Sequence, residues 1–356
     1  MKYLSTLLCW LGWFVLLLLT LLFIVVVRNQ FDDELTPETQ RWLLAPATTN
    51  APADNAFAYL YGITAAENKD PQTVGKQWLE KQQAATLELP LKTTTVKCPA
   101  KDKPCLDYIL AHRQQIRQAI DENLLLYQRY QILLSKTTFE EIPLPRDAYI
   151  ENEMHLYVSL GTVAKLYRMQ LVLELVDGVS DADQRMARQM AAWLLMLHHS
   201  HTMIGTLTAA ANLKWQVDLI KELQRHYPDR LGIALHDEVK ALANLDASQL
   251  FRQLLQGDFL STAYVFPQYQ HPEEHDWTTI LYLRNASLNL LQQRMAKLAE
   301  GPISPCDPAE VVSWINPAGK TLVCIVDLGR DESYRKRLQQ LQQDSATLLH
   351  DLEFHS

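Results

Sequence analysis

From Tyr3 to Val27 the chain reads YLSTLLCWLGWFVLLLLTLLFIVVV, about 25 residues without a charge. A helix needs roughly 20 apolar residues to cross the hydrocarbon core of a bilayer, so this pattern predicts a membrane-spanning helix. Tyr3, Trp10 and Trp13 cluster toward its start, where interfacial aromatics are common. A cleaved signal would carry an apolar region of about 7–15 residues ending in a small-residue cleavage site. Val27-Arg28-Asn29-Gln30-Phe31 offers no such site, and Cys9 lacks the small residue that precedes a lipidated cysteine. The expectation is an uncleaved anchor over residues 1–30, touching membrane lipid through residues 3–27.

Beyond the anchor the spacing of apolar residues is helical. Leu106, Ile109, Leu110, Ile116, Ile120, Leu124, Tyr127 and Leu134 recur mostly at steps of three and four, which predicts one long helix over about 105–135 with Leu124 on its core face. Met154–Val176 predicts another, stopped by Asp177-Gly178. Asp181 is placed to cap a helix to about Ser200, and a further helix runs from about Thr202 to Tyr227, before Pro228. Shorter helices are predicted at 231–242, 247–256 and 288–300. A closing helix from Asp331 places Tyr334, Leu338, Leu341, Ser345, Leu348 and Leu352 along one seam. Lys320–Asp327 is apolar and β-branched, and reads as a short strand or buried extended segment. The fold class expected is mainly all-α: a transmembrane helix, then an irregular α-hairpin array or bundle, with at most a short strand near 320–327. No signature recurs with a period of about 34 or 40 residues, so a tetratricopeptide array lacks its motif.

Between anchor and body, residues 31–70 read as a juxtamembrane stretch. Thr36 and Pro37 are a helix start, and APATTNAPADNA (45–56) reads as a linker or strap. The helical soluble domain is assigned to 71–356. Its 21% of charged residues and 48% of hydrophobic ones suit a packed core, and Gly is scarce at 11 residues, which disfavours barrels and Gly-rich phosphate loops. The net charge of −8 and the lack of a basic run argue against nucleic acid as a partner.

Besides Cys9 the chain has Cys98, Cys105, Cys306 and Cys324. Local pairing, Cys98 with Cys105 and Cys306 with Cys324, is the simplest arrangement in an oxidising compartment. Four unrelated thiols are the alternative, and neither spacing is that of a tetrahedral zinc site. Lys2 before the span and Arg28 after it leave the positive-inside count balanced. The short N-terminal flank favours a cytoplasmic N-terminus with the bulk outside.

FDDELTPETQRWL (31–43), DNAFAYLYGI (54–63), LRNASLNLL (283–291) and NPAGKTLVC (316–324), taken together, resemble a family of uncharacterised proteobacterial single-span membrane proteins with a helical soluble region. The resemblance implies a single N-terminal span followed by a helical region; in a bacterium, the topology favoured above would place the span in the inner membrane and the body in the periplasm. It implies no activity.

Candidate chemistry is sparse. His198 and His201 would share a face of a continuous helix and could ligate a metal with His271 or His275 as a third ligand. A polar helix end with locally bonded histidines is the plainer reading, and the HPEEHD segment around His271 and His275 reads as an exposed loop. Ala318-Gly319-Lys320-Thr321 ends like a nucleotide-binding loop, but Trp314 stands where that loop needs Gly. Asn285-Ala286-Ser287 fits a glycosylation pattern, and no Gly-x-Ser-x-Gly elbow occurs. The sequence thus favours a membrane-anchored, non-enzymatic envelope protein without cofactor, whose helical domain binds another protein or envelope component. Two alternatives stand beside it: a metal-dependent hydrolase or metal-binding protein using His198 and His201, and a helical assembly factor for membrane or secreted clients.

Overall fold

The computed structural model describes residues 2–28, 31–44, 54–81, 87–92, 96–98, 104–141, 150–265, 282–304, 306, 315–325 and 328–355. Among these are fifteen α-helices and no strand. They are α1 (Lys2–Arg28), α2 (Pro37–Leu43), α3 (Ala56–Tyr61), α4 (Pro71–Glu80), α5 (Cys105–Ala111), α6 (Arg113–Glu122), α7 (Leu124–Leu133) and α8 (Ile150–Val176). Then follow α9 (Ala182–His199), α10 (Met203–His226), α11 (Ile233–Ala243), α12 (Ala247–Val265), α13 (Arg284–Glu300), α14 (Pro317–Ile325) and α15 (Leu328–His355). Contacts divide the chain into two units. One comprises Met1–Ala45 and Phe259–Glu332, the other Pro46–Asp258 and Ser333–Ser356.

In the first unit, α1 is the one described helix long and apolar enough to cross a membrane. Trp10, Trp13 and Phe23 are 73%, 66% and 67% exposed, and the apolar residues between them are exposed on every face. A soluble core helix would bury one such face. Thr36 caps α2, accepting from the Thr39 amide, with Pro37 in the first turn. Trp42 of α2 meets Phe259 edge to face, with ring centroids 5.5 Å apart.

In the second unit, α8, α9 and α10 pack on one another in sequence order. Trp193 of α9 is buried, and its indole N–H donates to the hydroxyl of Tyr130 on α7 at 3.1 Å. The same hydroxyl accepts from Gln189 at 2.9 Å. Every residue of α3 is buried. It lies so close on α4 that a Cβ at Gly75 would come within 1.8 Å of the Ala58 carbonyl oxygen. The seam expected on the last helix is present, with Leu338, Leu341, Ser345, Leu348 and Leu352 buried along α15.

Four expectations need correction. The helix over 105–135 is three helices, broken at His112 and Asn123. Asn123 explains its break: its side chain donates to Ala119 O and accepts from the Lys92 amide, holding a neighbouring segment instead of continuing the ladder. The breaks shift the helical phase, so Leu126 and Tyr127 are buried while Leu124 is 47% exposed. Replacing Leu124 by alanine should therefore change unfolding free energy by less than about 0.5 kcal/mol; a loss above about 2 kcal/mol in urea unfolding would return it to the core. Asp181 makes no cap hydrogen bond and pairs instead with Arg185 one turn along. The 320–325 segment is helical, within α14, and not a strand; residues 326 and 327 lie outside the described residues. Its start signal outweighs its β-branched composition, because Pro317 sits in the first turn and Asn316 accepts from the Gly319 amide. Finally, α12 runs on to Val265 rather than ending near Gln256.

Candidate functional site

The segment leaving α1 is strapped to α13 by side chains from both. The amides of Asn285 and Ala286, in the first turn of α13, have no carbonyl partner within the helix. Both donate to the carboxylate of Asp32, at 2.7 and 3.1 Å. A carboxylate at a helix N-terminus also meets the positive end of its dipole. In return Asn285 Nδ2 donates to Asp33 O at 2.9 Å, and Asn289 Nδ2 donates to Glu34 O at 2.9 Å. Asn289 Oδ1 accepts from the Thr36 amide at 3.0 Å. Asn289 is buried, so its amide is spent wholly on the strap. Arg28, the last residue of α1, donates to Phe31 O at 3.0 Å. The chain is thereby fixed to folded structure within a few residues of the apolar helix.

A second knot joins α13 to α14. Asn316 has φ 52°, a left-handed conformation that asparagine tolerates better than most residues. Its Oδ1 accepts from the amides of Leu283 and Gly319 at 2.8 and 3.2 Å, and its Nδ2 donates to Ser287 Oγ at 2.9 Å. A Cβ on Gly319 would stand 1.9 Å from Ser287 Oγ, so glycine permits the approach of the two helices. Cys324 of α14 is bonded to Cys306, with Cα atoms 5.6 Å apart. Three of the segments quoted above, 31–43, 283–291 and 316–324, thus meet in one unit, their polar residues aimed at one another. The Asn285 amide is occupied by this network, which gives the glycosylation pattern a structural reading.

Comparison with protein-family models, with curated proteins and with solved structures finds no match to this chain.

The histidines lie in the other unit. Helix α9 ends at His199, so His198 and His201 are not on one continuous helix. His198 is exposed at the helix end, its pKa held below the ordinary imidazole value by partial burial and then by the neighbouring His199. The residues brought together are His199 and His201, on Glu140: His201 Nε2 donates to Oε1 at 3.0 Å, and His199 Nδ1 lies 3.4 Å from Oε2. Among the described residues no group of three or more His, Cys, Asp and Glu side chains is arranged to hold a metal ion. His271 and His275 lie outside the described residues.

Sequence reasoning missed Glu141, next to this pair. Its carboxylate is fully buried and accepts from the amides of His201 and Thr202 and from the hydroxyls of Thr202 (2.7 Å) and Tyr157 (3.2 Å). It closes the N-terminus of α10, with Thr202 Oγ1 taking the Gly205 amide at 3.2 Å. The signal was the Glu140-Glu141 pair inside an otherwise apolar and Pro-containing run, FEEIPLP. These four donations to one carboxylate fix the α9–α10 turn, while Ser200 Oγ, buried beside Tyr157 and Thr202, has no hydrogen-bond partner among the described residues.

Cys98 and Cys105 are also bonded, with Cα atoms 5.1 Å apart. The apolar N-terminal helix, span or signal, and the two disulfides together mark the chain as secreted or membrane-anchored.

Proposed function

We propose that the protein is a membrane-anchored, non-enzymatic component of a bacterial envelope, with α1 spanning the inner membrane, its N-terminus cytoplasmic and the helical body periplasmic. The observation that carries this reading is the length of α1, apolar and exposed from Trp10 to Ile24, with a strap that ties residues 32–36 to α13 just beyond it. A cleaved leader carries an apolar region of about 7–15 residues, shorter than the uncharged stretch of α1. Two disulfides support an oxidising compartment, and the resemblance to proteobacterial single-span proteins supplies the bacterial setting. The body would serve as a binding platform for another protein or an envelope component.

Membranes carrying the full-length chain test this directly. After alkaline extraction the protein should remain in the pellet with residues 1–28 intact by mass spectrometry. Recovery in the supernatant with those residues attached would overturn the anchor, and the compartment with it. Crosslinking in intact cells should then capture a reproducible envelope partner.

A further inference from the structure

Arg168 on α8 is 1% exposed. Its Nη1 donates to Asn212 O at 2.7 Å and its Nη2 to Asn212 Oδ1 at 2.8 Å, while its Nε has no partner. No carboxylate is among these contacts. A buried cation is ordinarily paired with an acid, and no described carboxylate is bonded to this one. One turn earlier on α8, Lys165 spends its ammonium on the carbonyl of Val96 alone, and Lys97, the next residue, is exposed. Among the described residues no ion pair involves Lys97, Lys165 or Arg168. Burial, and then the charges of Lys97 and Arg168, hold Lys165 below the usual lysine pKa; burial brings Arg168 down to about 10. Among the described residues of a chain of net charge −8, this is an island of positive charge outside any ion pair.

Above the island stands an aromatic. Trp215, one turn after Asn212 on α10, is 50% exposed, and the Arg168 guanidinium carbon lies 5.8 Å from its ring centroid. One side of the indole is thus held by Arg168, leaving the remainder to solvent. The exposed and half-buried residues around it on α10 are small or polar: Thr208, Ala211, Lys214 and Asp218. Asp218 is occupied by Lys214, and Asp344 takes both Lys214 (3.3 Å) and Lys221 (3.1 Å), so neither carboxylate offsets the island. Helices α8 and α10 run in the same direction, Tyr157 lying by Gly205 and Arg168 by Asn212. Lys165 and Trp215 therefore flank the Arg168–Asn212 junction on opposite sides, three residues away on each helix. At a rise of ~1.5 Å per residue that separates them by roughly 10 Å along the helices.

We propose that Trp215, Lys165 and Lys97 form a docking site for an acidic saccharide, one sugar ring stacked on the indole and a carboxylate or phosphate of a neighbouring unit at the two lysines. A sugar ring offers an indole its C–H face while its hydroxyls stay wet, which suits an aromatic on an otherwise polar helix face. An acyl chain would need an apolar trough, and the small and polar neighbours of Trp215 provide none. The spacing matches a ring and a charge one or two sugar units apart. The Cys98–Cys105 bond belongs to the site: it ties the segment carrying Val96 and Lys97 to the start of α5, whose first amides are held by Glu222 of α10. The proposal names the component that the membrane reading leaves open and borrows from that reading only the compartment.

Binding of galacturonic acid hexamers to the detergent-solubilised full-length protein, followed by calorimetry, tests it wherever the protein resides. Hexamers should bind, with affinity falling as salt rises. Trp215→Ala and the pair Lys97→Gln/Lys165→Gln should each weaken binding at least about tenfold, with the thermal midpoint of each variant checked to exclude unfolding. Reduction of the disulfides should weaken binding as well. A neutral maltohexaose binding equally well would overturn the charge argument. Failure of the hexamer to bind, or binding untouched by either variant, would overturn the site. Binding to phosphatidylglycerol vesicles that outcompetes the hexamer through the same residues would assign them to lipid and overturn the saccharide.

Discussion

Replacing Arg129 by methionine is expected to destabilise the helical body by about 4 kcal/mol, from stranding its carbonyl partners. Arg129 is 4% exposed on α7. Its Nη1 donates to Ile63 O and Ala65 O at 2.9 and 2.5 Å, and its Nη2 donates to Ala66 O and Lys69 O at 2.9 and 3.1 Å. Among the described residues the carbonyls of Ile63, Ala65 and Lys69 have no other partner, while that of Ala66 also accepts from the Lys69 amide at 3.0 Å, so one guanidinium holds most of the turn between α3 and α4. Burial holds the Arg129 pKa below its ordinary value, and a guanidinium keeps its charge in proteins. Methionine would keep the packing of the stem and remove the four donations. Each buried carbonyl then loses roughly 1–3 kcal/mol, the two more exposed ones least. Lysine should recover only part of the loss, because a single ammonium cannot reach four acceptors in a planar fan. Urea unfolding of the detergent-solubilised protein reads the effect. A loss below about 1 kcal/mol would mean that water replaces the guanidinium at no cost.

The features of this fold that were legible in the sequence are the local ones. Thr36, Pro37, Thr202, Pro228 and the Asp177-Gly178 stop act within one turn of chain, and each stands where its residue type demands. Both disulfides join cysteines close in sequence, so pairing by proximity found them. The apolar helix announced itself by composition alone. Features that depend on distant residues were illegible for a physical reason. Asp32 closes the first turn of a helix more than 250 positions later, and Glu141 closes one some 60 positions later. Nothing near either acid distinguishes it from a solvated surface charge. Asn123 misled in the opposite direction: on a surface it would sit passively in a helix, but beside Lys92 it has somewhere better to bond. One such residue rotates everything after it, which is why Leu124 faces outward although its spacing points to the core.

The histidines show the same limit at the level of chemistry. Spacing of three suggests a shared face only while the helix continues, and here Ser200 is already extended, with ψ 135°. The helix ends because Glu141 takes the amides of His201 and Thr202, so a buried carboxylate nearly sixty residues upstream decides which imidazoles can meet. His199 and His201 are turned to Glu140 as a result.

Asn316→Ala is expected to cost about 4 kcal/mol in the unit that holds the juxtamembrane strap, for two separable reasons. Three hydrogen bonds go: the donations of Leu283 N and Gly319 N to Oδ1, and that of Nδ2 to Ser287 Oγ. The two amides are buried, and each left without an acceptor costs roughly 1–3 kcal/mol. Alanine must also adopt φ 52°, which costs about 1–2 kcal/mol more for a residue with no polar side chain to compensate. Asn316→Gly separates the two, since glycine adopts that φ freely and should recover only the second part. Because α13 carries both the Asn316 knot and the Asp32 strap, loosening the first should expose the second. Hydrogen exchange of the Asn285, Ala286 and Thr36 amides should then accelerate in Asn316→Ala while the α8–α10 amides stay protected. Uniform acceleration across both units would show that they unfold as one, and unchanged exchange at the strap would show that Asp32 and Asn289 hold the chain without help from α14.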